Sequence, residues 1–468
     1  MITYSFTNIG SDSLYMYLYK CMKNDILQEV LHAGEKLPSK RSLARNLNIS
    51  IITVENAYAQ LVAEGYVYSI PKKGFFVTDI KSLHQKKEPV LSTENVQLTS
   101  GKSNYFADFT SNQTSSEHFP FSIWAKITRE LLTNHQQELL TNPPCGGILP
   151  LRQAIAKHLR DFRNMTVQPE QIIIGAGTEY LYGLLLQLLG FEKRYAVEDP
   201  GYNKISQIYK SHCVSCSFAS LDASGVKISD LEDQDIDVVH ISPSHHFPTG
   251  IIMPISRRYE LLGWASKSES RYIIEDEYDS EFRLNGQPIP TLQSIDVQEK
   301  VVYINTFTKT LASTVRISYM VLPKHLVNRF YSRLHFYSCT VSNFEQYILA
   351  RFISEGYFEK HINRMRNYYH GKRDRLLQII ANSPLSSYAA ISEEHAGLHF
   401  LLHLKTDIPD RELLLRLEQS GVKLSSLSQY YHNPPETVEH IFIINYSFIL
   451  EENMEKAIGL IYRALMTT

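Results

Sequence analysis

Apolar positions set the first element boundaries along the chain. Between residues 11 and 31, Leu14, Leu18, Cys21 and Met22 recur at helical spacing behind Ser11 and Ser13, either of which can cap a helix. Leu43, Ala44 and Leu47 form one face of a short helix that Ser39 can cap after Pro38. Asn48 to Ser50 reads as a turn, and Val54, Ala57, Tyr58 and Leu61 make the inward face of a second helix capped by Ser50. Two short helices across a tight turn predict a helix-turn-helix. Tyr66 to Ile70 and Phe75 to Val77 read as strands about the turn Pro71-Lys72-Lys73-Gly74, a wing with two lysines at its tip.

Residues 80–105 are polar and without period, so they read as a linker. Beyond them short apolar runs alternate with helical patterns. Trp124 to Leu132 reads as a helix, and Gly146 to Leu159 as a glycine turn leading into an amphipathic helix. The run after Gln171 is a strand followed by Ala176-Gly177-Thr178, where a helix opens near Glu179. Tyr195 to Val197, Val214 to Phe218, Val238 to Ile241, the run from Tyr272 and Val301 to Ile304 read as further strands. From Pro323 the pattern turns helical, with a long amphipathic run from Tyr357 to Ile380. Residues 388–468 alternate strand and helix patterns, which suits a small α+β subdomain.

Composition narrows the class. The 468 residues suffice for two or three domains, and 43% hydrophobic with 21% charged residues is ordinary for a globular protein. A net charge of −2 rules out a global basic field, so nucleic-acid binding has to be sought locally. Between Lys36 and Lys73 it is found: Lys36, Lys40, Arg41, Arg45, Lys72 and Lys73 are opposed by Glu55 and Glu64. Five cysteines, an odd number, fit a reducing compartment better than a disulfide framework. The Cys213-x-x-Cys216 pair has no second pair or histidine set to complete a metal site, so no metal is expected. The N-terminus shows no signal-peptide pattern, and no apolar run approaches the ~20 residues of a spanning helix. A cytoplasmic location without membrane association is expected.

The chemistry concentrates in two stretches. After the strand Val301 to Ile304, Lys309 stands among Thr306, Thr308 and Thr310, with Arg316 seven residues on. A lysine amine can form a Schiff base with an aldehyde cofactor, while hydroxyls and an arginine hold its phosphate. The run Tyr272 to Phe282 places Asp276 at the end of its apolar part and Tyr278 two residues later. A carboxylate can pair with a protonated pyridine nitrogen, and a phenol can hydrogen-bond the ring's 3-hydroxyl oxygen. Ala176, Gly177 and Thr178 open a helix, where free N–H groups suit the same phosphate.

With these residues the chain resembles the fold-type I pyridoxal-phosphate (PLP) aminotransferases, and more closely the MocR/GabR subfamily of GntR-type regulators. The N-terminal match runs from Leu37-Pro38-Ser39 through Arg41, Leu43-Ala44, Leu47, Ser50, Thr53-Val54, Ala57-Tyr58 and Leu61 to Glu64-Gly65-Tyr66. The resemblance implies an α/β chain. Its winged helix-turn-helix would occupy residues 1–79, its linker 80–105, and its aminotransferase-like domain, a mainly parallel sheet flanked by helices, 106–468. It implies Ser39, Arg41, Ser50, Thr53, Lys73 and Gly74 as contacts to double-stranded operator DNA. It further implies Tyr202 stacked on the pyridine ring, Lys204 facing a ligand carboxylate, and a homodimer.

Three positions depart from the pattern. Ile51 stands where the family usually has arginine. His246 precedes Phe247-Pro248 where glutamine is usual, and could face the ring oxygen or the ligand. Ile443 matches the arginine that clamps a substrate carboxylate in working aminotransferases, and no arginine lies between Arg416 and Arg463. The expected function is therefore a PLP-binding transcription regulator, with at most a slow transamination half-reaction. Its effector would be PLP itself or an amino compound forming an external aldimine. The alternative is an active aminotransferase with a DNA-binding module.

Overall fold

The computed structural model describes residues 3–6, 12–80, 105–111, 116–283, 289–394 and 397–466. The chain divides into two compact units, residues 1–101 and 102–468. Apart from Ile80 and Tyr105, the stretch read as a linker lies outside the described residues.

The first unit is a winged helix-turn-helix made of α1 (Leu14–Leu27), α2 (Lys40–Leu47), α3 (Ile51–Ala63), β1 (Val67–Ile70) and β2 (Gly74–Val77). The first helix is shorter than its periodicity suggests: it starts after Ser13, and Glu29 just beyond its end takes a left-handed conformation (φ 62°). Ser39 and Ser50 cap α2 and α3, their hydroxyls accepting from Ser42 N–H at 3.1 Å and Thr53 N–H at 3.0 Å. Asn48 makes the turn between them in the left-handed region that asparagine tolerates (φ 56°). Leu18, Met22, Leu43, Val54, Ala57, Tyr58 and Leu61 are buried together with Val67 and Val77. The buried Tyr58 keeps its hydroxyl satisfied by donating to Pro38 O at 2.9 Å.

The second unit is built on a sheet of β4 (Ile172–Gly175), β5 (Tyr195–Asp199), β6 (Cys216–Asp222), β7 (Gly225–Val226), β8 (Val238–Ile241), β9 (Tyr272–Glu277), β10 (Val301–Thr306) and β11 (Ser318–Val321). The two-residue strand β3 (Ala107–Asp108) precedes this sheet in the chain and lies outside it. The strand order is β4-β11-β10-β9-β8-β5-β6-β7. Strands β10, β9, β8, β5 and β6 run parallel, while β11 is antiparallel to both β10 and β4. Strands β8, β9 and β10 are buried along their whole length, which explains why they read as continuous apolar runs rather than alternating ones. The helix Thr178–Leu189 packs in one apolar cluster with β5 and the helix Lys324–Leu334; the helix Ile255–Ser266 belongs to another.

The helix Tyr357–Asn382 joins a C-terminal four-stranded sheet whose order is Ala389–Ser392, His399–Leu404, Ile441–Asn445, Ser425–Ser426. The two-residue strand Val422–Lys423 leaves that sheet and pairs in parallel with Ala107–Asp108. This pairing brings Lys423 beside the segment that enters the domain. The described helices include none long and apolar enough to cross a membrane.

Candidate functional site

The carboxyl ends of the parallel strands open into a cavity of about 590 Å³ in the second unit. Open α/β sheets present their ligand crevice at this edge, because the strand-to-helix turns converge there. Lys309, Asp276, Tyr278, Tyr202, Lys204, Thr178, Thr306, Thr308 and Arg316 all line it.

Asp276 is the best-defined member. Its Oδ2 accepts from the Tyr182 hydroxyl and lies 3.2 Å from His240 Nε2, whose Nδ1 in turn meets Tyr209 OH at 2.7 Å. Its Oδ1 is buried and has no hydrogen-bond partner. A buried carboxylate oxygen left without a donor is costly, and a pyridinium N–H is the donor that would satisfy it. Burial pushes the Tyr182 phenol well above its ordinary range, so it stays a proton donor. Neither Tyr182 nor His240 stands out in the sequence: both sit at apolar-looking positions and gain a role only when their elements meet.

Lys309 is 6% exposed, and desolvation brings its amine down from 10.5 to about 8. A lowered lysine has a larger neutral fraction near neutral pH, the form that attacks an aldehyde. Thr306 is largely spent inside its own turn, its Oγ1 being bonded to Thr308 N, Thr308 Oγ1 and Ser318 Oγ at 3.1, 2.8 and 2.8 Å. Ser313 joins the hydroxyl set, a residue not singled out from the sequence. Arg316 holds a left-handed backbone (φ 51°), and a Cβ on Gly177 would fall 2.4 Å from its guanidinium Nη2. Glycine at 177 is what lets Arg316 close over the helix start. Donor hydroxyls, a guanidinium and a helix N-terminus at one end, an orphaned carboxylate oxygen and a buried amine further in: these fit PLP.

Several expectations need correction. Lys204, expected to face a ligand carboxylate, does line the cavity, but it is ion-paired there with Glu179, which also receives Arg316 at 3.2 Å. The pairing follows from Glu179 and Lys204 opening neighbouring helices. The Ala176 amide donates to Thr340 Oγ1 at 2.9 Å, so it is not available to a phosphate, and Ala176 and Gly177 do not line the cavity. His246 does not line it either. Its ring is buried against Thr249 Oγ1 at 2.7 Å and Glu198 at 3.5 Å, and desolvation lowers it to about 3. Phe247 takes its place at the wall, 6.0 Å from the Tyr202 ring and edge-on to it. Ile443 is buried in the C-terminal sheet opposite Leu401 and Ser425 and stays out of the cavity. Lys423 and Asp108 line the end that sequence patterns left unassigned.

In the first unit Arg41, Lys72 and Lys73 are exposed, Thr53 is half-buried at the start of α3, and Gly74 begins β2 with φ 114°. The hydroxyls of Ser39 and Ser50 are already engaged as caps. Lys40 is tied to Glu55 at 2.6 Å, and Glu64 faces Tyr19 and Lys23. The local basic surface therefore rests on Lys36, Arg41, Arg45, Lys72 and Lys73, all exposed.

The same two parts are found by comparison. Residues 14–77 match the model of bacterial regulatory proteins of the gntR family, and residues 105–432 match that of class I and II aminotransferases. The HTH-type transcriptional regulator YdeL of Bacillus subtilis is 38% identical, covering 90% of this chain and 91% of its own. The HTH-type pyridoxine biosynthesis transcriptional regulator PdxR of Corynebacterium glutamicum is 28% identical over 87% of this chain and 86% of its own. Among solved structures, a kynurenine aminotransferase of Pyrococcus horikoshii superposes with a TM-score of 0.68 at 22% identity, covering 83% of this chain and 98% of that one; it shares the fold. The chain thus belongs to the MocR/GabR subfamily of GntR-type regulators, in which a DNA-binding winged helix is fused to a PLP-binding, aminotransferase-like domain.

Proposed function

We propose that this regulator responds to PLP itself, without useful amino-acid turnover. One observation carries the reading: Arg316 is the only arginine lining the cavity among the described residues, and it sits at the Glu179 end. PLP supplies an electrophilic aldehyde and an electron-withdrawing ring. In this reading Lys309 and Asp276 Oδ1 would hold the aldehyde and the ring nitrogen's proton, Tyr278 would donate to the ring oxygen, Tyr202 would cover the ring, and Thr178, Thr308, Ser313 and Arg316 would hold the phosphate. An α-amino acid would find no bidentate guanidinium for its carboxylate, and a lysine is a poorer orienter. That a relative is named for pyridoxine biosynthesis supports vitamin B6 status as the signal. The test is operator-fragment binding titrated with PLP alone, beside an assay with common amino acids and a 2-oxo acid acceptor. PLP alone is expected to shift operator affinity. A requirement for an added amino compound would refute PLP as sole effector, and sustained turnover at the ~1 to 1,000 per second of ordinary enzymes would refute the regulator-only reading.

Asp276→Asn is expected to weaken PLP binding by tens-fold, since a charged hydrogen bond is worth about 1.5–3 kcal/mol. Melting of the PLP-free protein should change less, because Tyr182 and His240 still find a carbonyl oxygen there. Equal PLP affinity in the two proteins would remove Asp276 as the pyridine partner.

We also propose a homodimer in the cytoplasm. The aminotransferase unit leaves Phe121, Leu140 and Phe336 66%, 79% and 69% exposed, apolar side chains that a second subunit could cover. A two-fold protein would read two half-sites. Sedimentation of the PLP-loaded protein as a monomer at micromolar concentration would count against it.

A further inference from the structure

We propose that Asp279 and His245 form a positioning pair that turns the Tyr278 hydroxyl into the cavity, so that it donates to the 3-oxygen of bound PLP. The inference deepens the reading of Tyr278 given above and rests on it.

The three side chains form a continuous chain, with Asp279 and His245 buried and Tyr278 half-buried in the cavity wall. His245 Nδ1 lies 2.9 and 3.1 Å from the two Asp279 oxygens and 3.1 Å from Tyr278 Oη. His245 and Asp279 are 5% and 3% exposed. A carboxylate only accepts, so Asp279 places the imidazole proton on Nδ1. Tyr278 Oη touches that same Nδ1, so it too accepts. Its single O–H proton then points away from His245, and Tyr278 lines the cavity. Without Asp279 the ring could adopt the other tautomer; bare Nδ1 would then capture the phenol's proton and draw it out of the cavity.

The surroundings hold this arrangement in place. Gly397 (φ 67°) lies against the pair, where a Cβ would fall 1.9 Å from His245 Cε1 and 2.6 Å from Asp279 Oδ2, so glycine there is what leaves the two side chains room to meet. On the other side His399 lies 4.7 Å from His245, ring to ring, with its Nε2 3.2 Å from Pro248 O. Burial drives His399 well below its ordinary range, so it adds no charge. The ionisable groups that act on Tyr278 are Asp276, Glu277, Asp279 and Glu198, and Lys309 is in the field of Asp279. A buried pair of this kind seldom repays its desolvation in stability alone, which makes an orienting role the better account.

The readout is the pH midpoint of the visible absorption band of PLP-loaded full-length protein. A donor to the ring oxygen stabilises its anionic form most when the adjacent nitrogen has lost its proton, so losing the donor raises the midpoint. Tyr278→Phe and His245→Phe are each expected to raise it by about one pH unit, a hydrogen bond's worth. His245→Asn, whose amide N–H reaches the place of Nδ1, should restore it. In the Tyr278→Phe background, His245→Phe should add nothing.

A shift in Tyr278→Phe with none in His245→Phe overturns the positioning role and leaves the Tyr278 reading standing. No shift in Tyr278→Phe refutes both. A His245→Phe shift that persists undiminished without the phenol shows that His245 acts by another route and also overturns the proposal. Should His245→Phe fail to fold, His245→Asn and His245→Gln decide it, because glutamine reaches the Nε2 position instead; equal midpoints in that pair refute the pair's role. Stoichiometric divalent metal in the purified protein would overturn it as well: His245, Asp279 and His399 present donor atoms within 4.8 Å, and a metal would displace the Nδ1 proton.

Discussion

Lys309→Ala should abolish the visible absorption of PLP-loaded protein completely, and borohydride reduction of the native protein should leave its label on the peptide holding Lys309. The amine is buried in the cavity wall just past β10, and desolvation lowers it to about 8. Formation of the coloured species should therefore quicken with pH and level off above about 8, rather than continue rising toward 10.5. The sign for stability follows from the same fact. The folded chain holds the Lys309 proton less tightly than the unfolded chain does, so the unfolded state binds more protons between pH 8 and 10.5, and this group's penalty on folding fades as pH rises through that window. Below it the buried ammonium costs on the order of 3 kcal/mol. The PLP-free Lys309→Ala protein should accordingly melt higher than the native one at pH 7, with the gap closing near pH 10. Colour surviving in the variant, or label on another lysine, would remove Lys309 from its role.

Operator binding should fall by about ten- to a hundred-fold in Arg41→Ala, the ~1–3 kcal/mol of one well-placed arginine contact. Arg41 is exposed in the first turn of α2, next to a helix N-terminus already capped by Ser39, so its removal leaves the fold of the first unit intact. With Lys40 held by Glu55, Arg41 carries more of the burden than the sequence count of basic residues suggests. Thr53→Ala should act in the same direction, and α3 should survive it because Ser50 still receives the Thr53 backbone N–H. PLP binding should be untouched in both, since the cavity lies wholly in the second unit. The slope of log affinity against log salt should shrink by about one if Arg41 meets a phosphate. Unaltered operator affinity in Arg41→Ala would take the central contact out of the DNA-binding model.

Local sequence carried the parts of this protein whose physics is local. The caps at Ser39 and Ser50, the turn at Asn48 and the inward faces of α2 and α3 were legible because capping and helical period act within a few residues. The buried strands β9 and β10 announced themselves as apolar runs, and Asp276, Tyr278 and Lys309, polar groups at or just past the ends of those runs, line the cavity that opens there. What pairs across distance was not legible. Lys204 looked free to meet a carboxylate until the start of one helix brought Glu179 against it. The sequence marks His246 as a departure and is silent on its neighbour, yet the turn buries His246 against Glu198 and sends His245 to Asp279 and Tyr278. Tyr182 and His240 reach Asp276 from 94 and 36 residues away, and Lys423 enters the cavity only because β-pairing lays its strand beside Ala107–Asp108. A side chain's neighbours in sequence set its conformation, whereas its hydrogen-bond partners, its burial and hence its proton affinity are set by whichever elements the sheet order places against it.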